Sequence, residues 1–192
     1  LRFETWKAIY EAARSGGKML TQKEQQALAK WLNVASGRGS LGAFGSAGNV
    51  LNGILFAPRF AVSRFEAPIL TARLLADPAT REIGKLATKD LAKTVSAGVS
   101  LLLVAEAAGL KVGWDPASSD FGKIRAGDIT LDIWGGFQQP AVLALRIALD
   151  QYTSAATGKI SSLSQGGFGK PDVTEILTRF GRGKLGPTPS LL

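Results

Sequence analysis

The chain has no cysteine and no histidine among its 192 residues. The first absence rules out disulfides, thiolate metal sites and a thiol nucleophile. The second excludes more, because histidine is the usual general base near neutral pH and the commonest metal ligand. Ser-His-Asp and Cys-His catalysis and histidine-bearing zinc sites are therefore closed to this chain. Carboxylates are scarce too, with 15 Asp and Glu against 23 Lys and Arg. Four of them, Asp115, Asp120, Asp128 and Asp132, fall in one stretch. Paired carboxylates of a glycosidase, or an oxygen-ligand metal site, would need such a cluster. Asp also belongs in turns and at strand ends, where it bonds nearby backbone N–H groups, and that reading is preferred. We accordingly expect no enzyme activity, no cofactor and no metal.

What the chain does have is positive charge and apolar side chains. A net charge of +8 favours contact with a polyanion: nucleic acid, an anionic lipid face or an acidic partner. A basic face on an ordinary soluble protein is the competing explanation. The hydrophobic fraction of 45% is enough to bury a core or to present helices to partners, which argues against disorder throughout. The sequence opens on Leu1 without a basic-then-apolar leader, so a segment of a longer protein is expected.

Apolar spacing marks the helices. In residues 1 to 15, Phe3, Trp6, Ile9, Tyr10 and Ala13 make one stripe. Thr21 and Glu24 form a capping box for a second helix, with Leu28, Trp31, Leu32 and Ala35 on its buried side. From Gly39 to Pro58 no side chain is charged, and Gly39, Gly42, Gly45 and Gly48 recur every third residue. A flexible connector is the plain reading, and a segment that packs on another chain or enters a membrane is the alternative. Pro58 can open the next helix, whereas Pro68 would kink or restart it. Arg59, Arg64 and Arg73 alternate there with Phe56, Phe60, Phe65, Ile69 and Leu70, a pattern of snorkelling Arg on a packed helix or of base stacking.

Asp77-Pro78 introduces the longest regular stretch, to about Ala108, with Ile83, Leu86, Leu91, Val95, Val99, Leu102 and Leu103 at helical intervals. A buried bundle helix is expected, since its uncharged part, from Val95 to Ala105, is too short to span a bilayer. Alternation then predicts one β-hairpin between Gly122 and Trp134 about Gly127-Asp128. A helix from about Gln138 to Ala155 follows, with Val142, Leu145, Ile147 and Leu149 as its stripe, then a loop over 157 to 171. A short helix from Asp172 to Phe180, capped by Asp172 with Glu175, precedes an extended basic and Pro-rich tail.

The expected fold is mainly α, an irregular helical bundle or extended helical assembly with one β-hairpin. Its parts are a helical hairpin (1–36), a Gly-rich connector (37–58), a helical core carrying the hairpin (59–156) and a loop, short helix and tail (157–192). Trp134-Gly135-Gly136-Phe137 is a candidate structural motif, both rings expected to lie buried against the helix from Gln138. Candidate contacts to DNA or a partner are Arg38, Arg59, Arg64, Lys123, Arg125, Arg179, Arg182 and Lys184.

Two strings, NVLNGILFAPRFAVSRFEAP (49–68) and DFGKIRAGDITLDIWGGFQQP (120–140), resemble the core of a domain near the end of very large virion-packaged proteins of tailed bacteriophages. These are the polyvalent or internal ejection proteins, and the resemblance runs over about residues 45 to 185. It implies a virion component that enters a Gram-negative host with the genome. In short-tailed phages such proteins leave the capsid, cross the tail and reassemble as a conduit for DNA across the envelope. It further implies a homo-oligomer working with other ejection or tail proteins, sequence-independent contact with double-stranded DNA, and host membrane contact. It brings no catalytic residue to this chain. Two rivals stand beside it: an injected scaffold that forms no channel, and a carboxylate enzyme using Asp120, Asp128 or Asp132.

Overall fold

A computed structural model describes residues 19–40, 57–165 and 171–185, together with Lys7 and Glu11. The first expected helix, most of the uncharged Gly-rich stretch and the C-terminal tail lie outside the described residues. The chain is mainly α, with five helices among the described residues and a small antiparallel β component. It divides into two compact units, and the division falls at Lys93/Thr94.

In the first unit, helix α1 (Gln22–Ala35) begins at the expected capping box. The Glu24 backbone N–H donates to Thr21 Oγ1 at 3.3 Å, and the Thr21 N–H donates to the Glu24 carboxylate at 2.8 Å. Leu28, Trp31, Leu32 and Val34 are buried. Val34 is buried, and Ala35, expected on the buried side, is half-buried. Helix α2 (Pro58–Ala76) opens on Pro58 and runs on past Pro68, which sits on the exposed side and does not restart the helix. Ser63, Ala67, Leu70, Thr71 and Leu74 form its buried stripe. The two helices come together at Gly39, whose N–H bonds the Arg59 carbonyl and where a Cβ would lie 2.5 Å from the Ser63 nitrogen. Lys23 and Asp77 pair at 2.8 Å, tying the start of α1 to the end of α2.

Helix α3 spans Arg81–Ala107, starting after a turn in which the Ala79 N–H bonds the Asp77 side chain. Ile83 and Ala87 are buried in the first unit, and Leu102 and Ala105 in the second. The expectation that the whole α3 stripe is core does not hold. Leu86, Val95, Val99 and Leu103 are exposed, because one face of the helix is covered and the apolar residues extend well round it.

In the second unit, β2 (Lys123–Ala126) and β3 (Ile129–Asp132) form the expected hairpin, with Ala126 opposite Ile129. Gly127 has φ +61 at the first of the two turn positions, as a type II′ turn requires. The single hairpin needs correction, because β1 (Lys111–Val112) adds a third antiparallel strand beside β2. The core of this unit joins Leu102 and Ala105 of α3 to Ile124, with Val112, Ile133 and Trp134 packed against them.

Helix α4 (Gln138–Leu149) ends six residues before the expected Ala155. Asp150 adopts a left-handed conformation, φ +52, that stops it. The following residues form β4 (Gln151–Thr153), paired with β5 (Ile160–Ser162) in what was expected to be loop. Tyr152 and Thr153 favour a strand, and Asp150 anchors the far side by accepting bonds from Ser162 and Ser164. Of the expected α4 stripe, Val142 is buried while Ile147 and Leu149 are exposed. Helix α5 (Val173–Arg182) is capped by Asp172, which accepts from the Glu175 N–H at 2.7 Å; the Glu175 carboxylate pairs forward with Arg179.

Candidate functional site

The string from Asp120 to Pro140 builds one interlocked structure around Trp134. The indole N–H donates to the Gly122 carbonyl at 2.7 Å, joining the second residue after β3 to the one before β2. The ring lies over α3, where a Cβ on Gly98 would stand 2.5 Å from it. A Cβ on Gly122 would meet the indole nitrogen at the same distance, and Gly122 has φ +70. Both glycines are thus required by the position of one ring. Asp132 accepts from the Trp134 N–H at 2.9 Å, which sets the chain direction out of β3.

Gly135 and Gly136 follow with φ +57 and +86, so the Gly-Gly pair serves a left-handed turn. Phe137 stands at the N-terminus of α4, its carbonyl accepting from the Ala141 N–H. The expectation that Trp134 and Phe137 share burial against this helix is corrected for Trp134. Its ring packs on Gly98 and on the Leu102, Ala105 and Ile124 cluster, because the indole bond to Gly122 holds it on that side. Phe137 is half-buried.

Several residues of this structure were not singled out from sequence. Gln138 is buried, and its amide donates to the carbonyls of Ser119 (2.9 Å) and Phe121 (3.0 Å). Arg146 donates through Nε to the Ala117 carbonyl at 2.7 Å and lies 4.5 Å from the centre of the Tyr152 ring. Burial lowers the pKa of its guanidinium from the ordinary value. Gly98 carried a legible signal: a glycine inside a helix costs about 1 kcal/mol relative to alanine and implies a close neighbour.

Of the acidic residues of the same stretch, Asp115 and Asp132 accept from backbone N–H groups. Asp115 accepts from the Ala117 N–H at 2.9 Å, Asp120 pairs with Arg125 at 3.0 Å, and Asp128 lies in the β2–β3 turn. Among the described residues no group of three or more acidic side chains is placed to hold a metal ion.

The eight candidate cations divide between the units. Arg38, Arg59 and Arg64 belong to the first, and Lys123, Arg125, Arg179, Arg182 and Lys184 to the second. Arg38, Arg59 and Arg182 are exposed, and Lys123 is half-buried. Arg64 lies 4.0 Å from the centre of the Phe60 ring, and partial burial lowers its pKa. Arg125 and Arg179 are paired with Asp120 and Glu175. Lys184 donates to Gln139 at 2.6 Å beside the Phe180 ring, and burial lowers its pKa as well. The exposed members are therefore the ones most open to a polyanion.

Comparison with known proteins finds no family model, no curated protein and no solved structure that matches this chain.

Proposed function

We propose that this chain is a structural component of a phage DNA-ejection apparatus, a segment of an internal virion protein that assembles into a conduit for the genome across the host envelope. The observation that carries the reading is the use made of the string 120–140, the more distinctive of the two that resemble this family. Its Trp134, Asp132 and Gln138 side chains, bonded to backbone groups, hold strands and turns together, as a building domain requires. The role is assembly without catalysis or cofactor, in the virion first and at the envelope after ejection. Exposed Arg38, Arg59 and Arg182 supply candidate contacts to duplex DNA without base readout. No described helix is long and apolar enough to cross a membrane, so envelope contact by these residues would be at a surface or through other chains.

Electron microscopy of the purified chain and of its complexes with other ejection proteins tests the reading. Rings with a lumen wide enough for duplex DNA are expected. A monomer under all conditions, injected with the genome yet forming no ring, would favour the scaffold role instead.

A further inference from the structure

Strand β3 is an edge of the three-stranded sheet, and every residue from Ile129 to Asp132 is exposed. Ala126 and Ile129 are the hydrogen-bonded pair that closes the two-residue turn, so Ile129 and Leu131 direct their backbone groups to β2. The N–H and C=O of Thr130 and Asp132 therefore point away from the sheet. None of these groups has a hydrogen-bond partner among the described residues. Natural edge strands are commonly guarded by shortness, Lys or Pro. The opposite edge, β1, has two residues and begins with Lys111, whereas β3 has four residues and contains neither Lys nor Pro. The pattern about Leu131 is also alike in both directions, with Thr130 and Asp132 next to it and Ile129 and Ile133 beyond. Leu131 stands opposite the core residue Ile124, and Ile133 packs on the same core, so these three apolar side chains share one side of the sheet. Ile129 and Leu131 nonetheless remain 63% and 49% exposed.

We propose that β3 pairs antiparallel with β3 of a second copy about a two-fold axis at Leu131, joining the two sheets edge to edge. In this register Thr130 of each copy exchanges backbone hydrogen bonds with Asp132 of the other, so every outward group of the strand gains a partner. Leu131 meets Leu131 and Ile129 meets Ile133, which covers the exposed apolar side chains with their like. On the other side of the sheet the Thr130 hydroxyl can donate to the Asp132 carboxylate opposite it. Charge excludes the neighbouring registers that also match outward groups. An axis at Thr130 would set Asp132 opposite Asp128, and an axis at Asp132 would set two Asp132 carboxylates against each other. The near-palindromic pattern favours a second copy over an unrelated extended peptide, since a two-fold contact demands a self-complementary strand. The pairing goes beyond the ejection reading and does not depend on it. A two-fold contact closes at two copies, so a ring would need a second, different interface.

The test follows amide hydrogen exchange and sedimentation of the 192-residue chain across a dilution series starting at about 1 mM. The Thr130 and Asp132 amides should exchange slowly where the chain is dimeric and fast where it is monomeric, while Ile129 and Leu131, bonded to β2, stay protected in both. A chain that is monomeric throughout overturns the proposal. Protection of Thr130 and Asp132 that persists in the monomer also overturns it and assigns the edge to another segment of the same chain. Thr130→Pro removes an outward donor without touching a bond to β2. With Trp fluorescence retained as the check on folding, its dimer Kd should rise at least about tenfold, and an unchanged Kd overturns the proposal. Because the chain has no cysteine of its own, Leu131→Cys and Ile129→Cys introduced singly report the register. Facing Leu131 positions lie within disulfide reach, whereas the two Ile129 positions would be about 14 Å apart. L131C should therefore give at least about tenfold more linked dimer under mild oxidation, although Ile129 is the more exposed residue. Equal linkage overturns the axis at Leu131.

Discussion

Gly98 of α3 and Trp134 at the end of the hairpin fit so closely that any β-carbon at position 98 would meet the indole ring 2.5 Å away. The ring cannot simply swing aside, because its N–H is bonded to the Gly122 carbonyl. Gly98→Ala sets a gain of about 1 kcal/mol in helix propensity against an overpacking cost of about 1–3 kcal/mol. Steric conflict should win, lowering the urea midpoint and changing Trp fluorescence. Gly181→Ala is the matched control, since its Cβ would meet nothing within 4 Å. That substitution should leave stability unchanged or raise it by up to about 1 kcal/mol.

Gly122 and Gly127 both have positive φ, but their surroundings differ. A Cβ on Gly122 would lie 2.5 Å from the Trp134 indole nitrogen, whereas one on Gly127 has open space. Gly127→Ala should therefore cost only the left-handed backbone penalty, about 1–2 kcal/mol. Gly122→Ala adds a clash and threatens the indole hydrogen bond, so it should be the more damaging by at least about 1 kcal/mol. Thermal melts of the two variants compare them directly; equal losses would mean that the Trp134 seat contributes little.

Asp150 gives the β4–β5 region a dependence on acid. Its carboxylate accepts from the Ser164 and Ser162 side chains and from the Ser164 backbone N–H, and these bonds lower its pKa from the ordinary carboxylate value. A carboxyl with a depressed folded-state pKa contributes stability above its unfolded value, about 4, and loses it as pH falls through the folded value. Asp150→Asn tolerates the left-handed backbone but cannot titrate. Urea midpoints measured between about pH 2 and pH 6 should fall with acid less steeply in the variant than in the parent. Parallel curves would remove Asp150 from the acid response.

Contact with DNA makes a different demand. Binding to random-sequence duplex should weaken steeply with salt as counterions are released. Neutralising exposed Arg38, Arg59 or Arg182 should lower the salt slope by about one unit for each residue that contacts a phosphate. Arg125→Gln and Arg179→Gln should change it less, because Asp120 and Glu175 already partner those side chains. A slope near zero in the parent chain would remove direct DNA contact and leave assembly as the role.

Short-range chemistry alone determined much of this protein. Thr21 with Glu24, Asp172, Pro58 and Gly127-Asp128 each act within a few residues, and they place helix starts and the hairpin turn where the sequence indicates. Periodicity likewise marked the helices as helices. It did not say which apolar residues are covered, since Leu102 and Leu103 are equally apolar neighbours and only the first faces the core. Gln138 and Arg146 find their carbonyl partners 17 to 29 positions away, so nothing in their local sequence announces them. The end of α4 at Asp150 was hidden for the same reason, because its serine partners lie 12 and 14 residues further on. Local hydrogen bonding and side-chain spacing are properties of the chain. Burial and the pairing of distant polar groups arise only when separate elements pack, and that decided where Trp134 sits and which residues of α3 are covered.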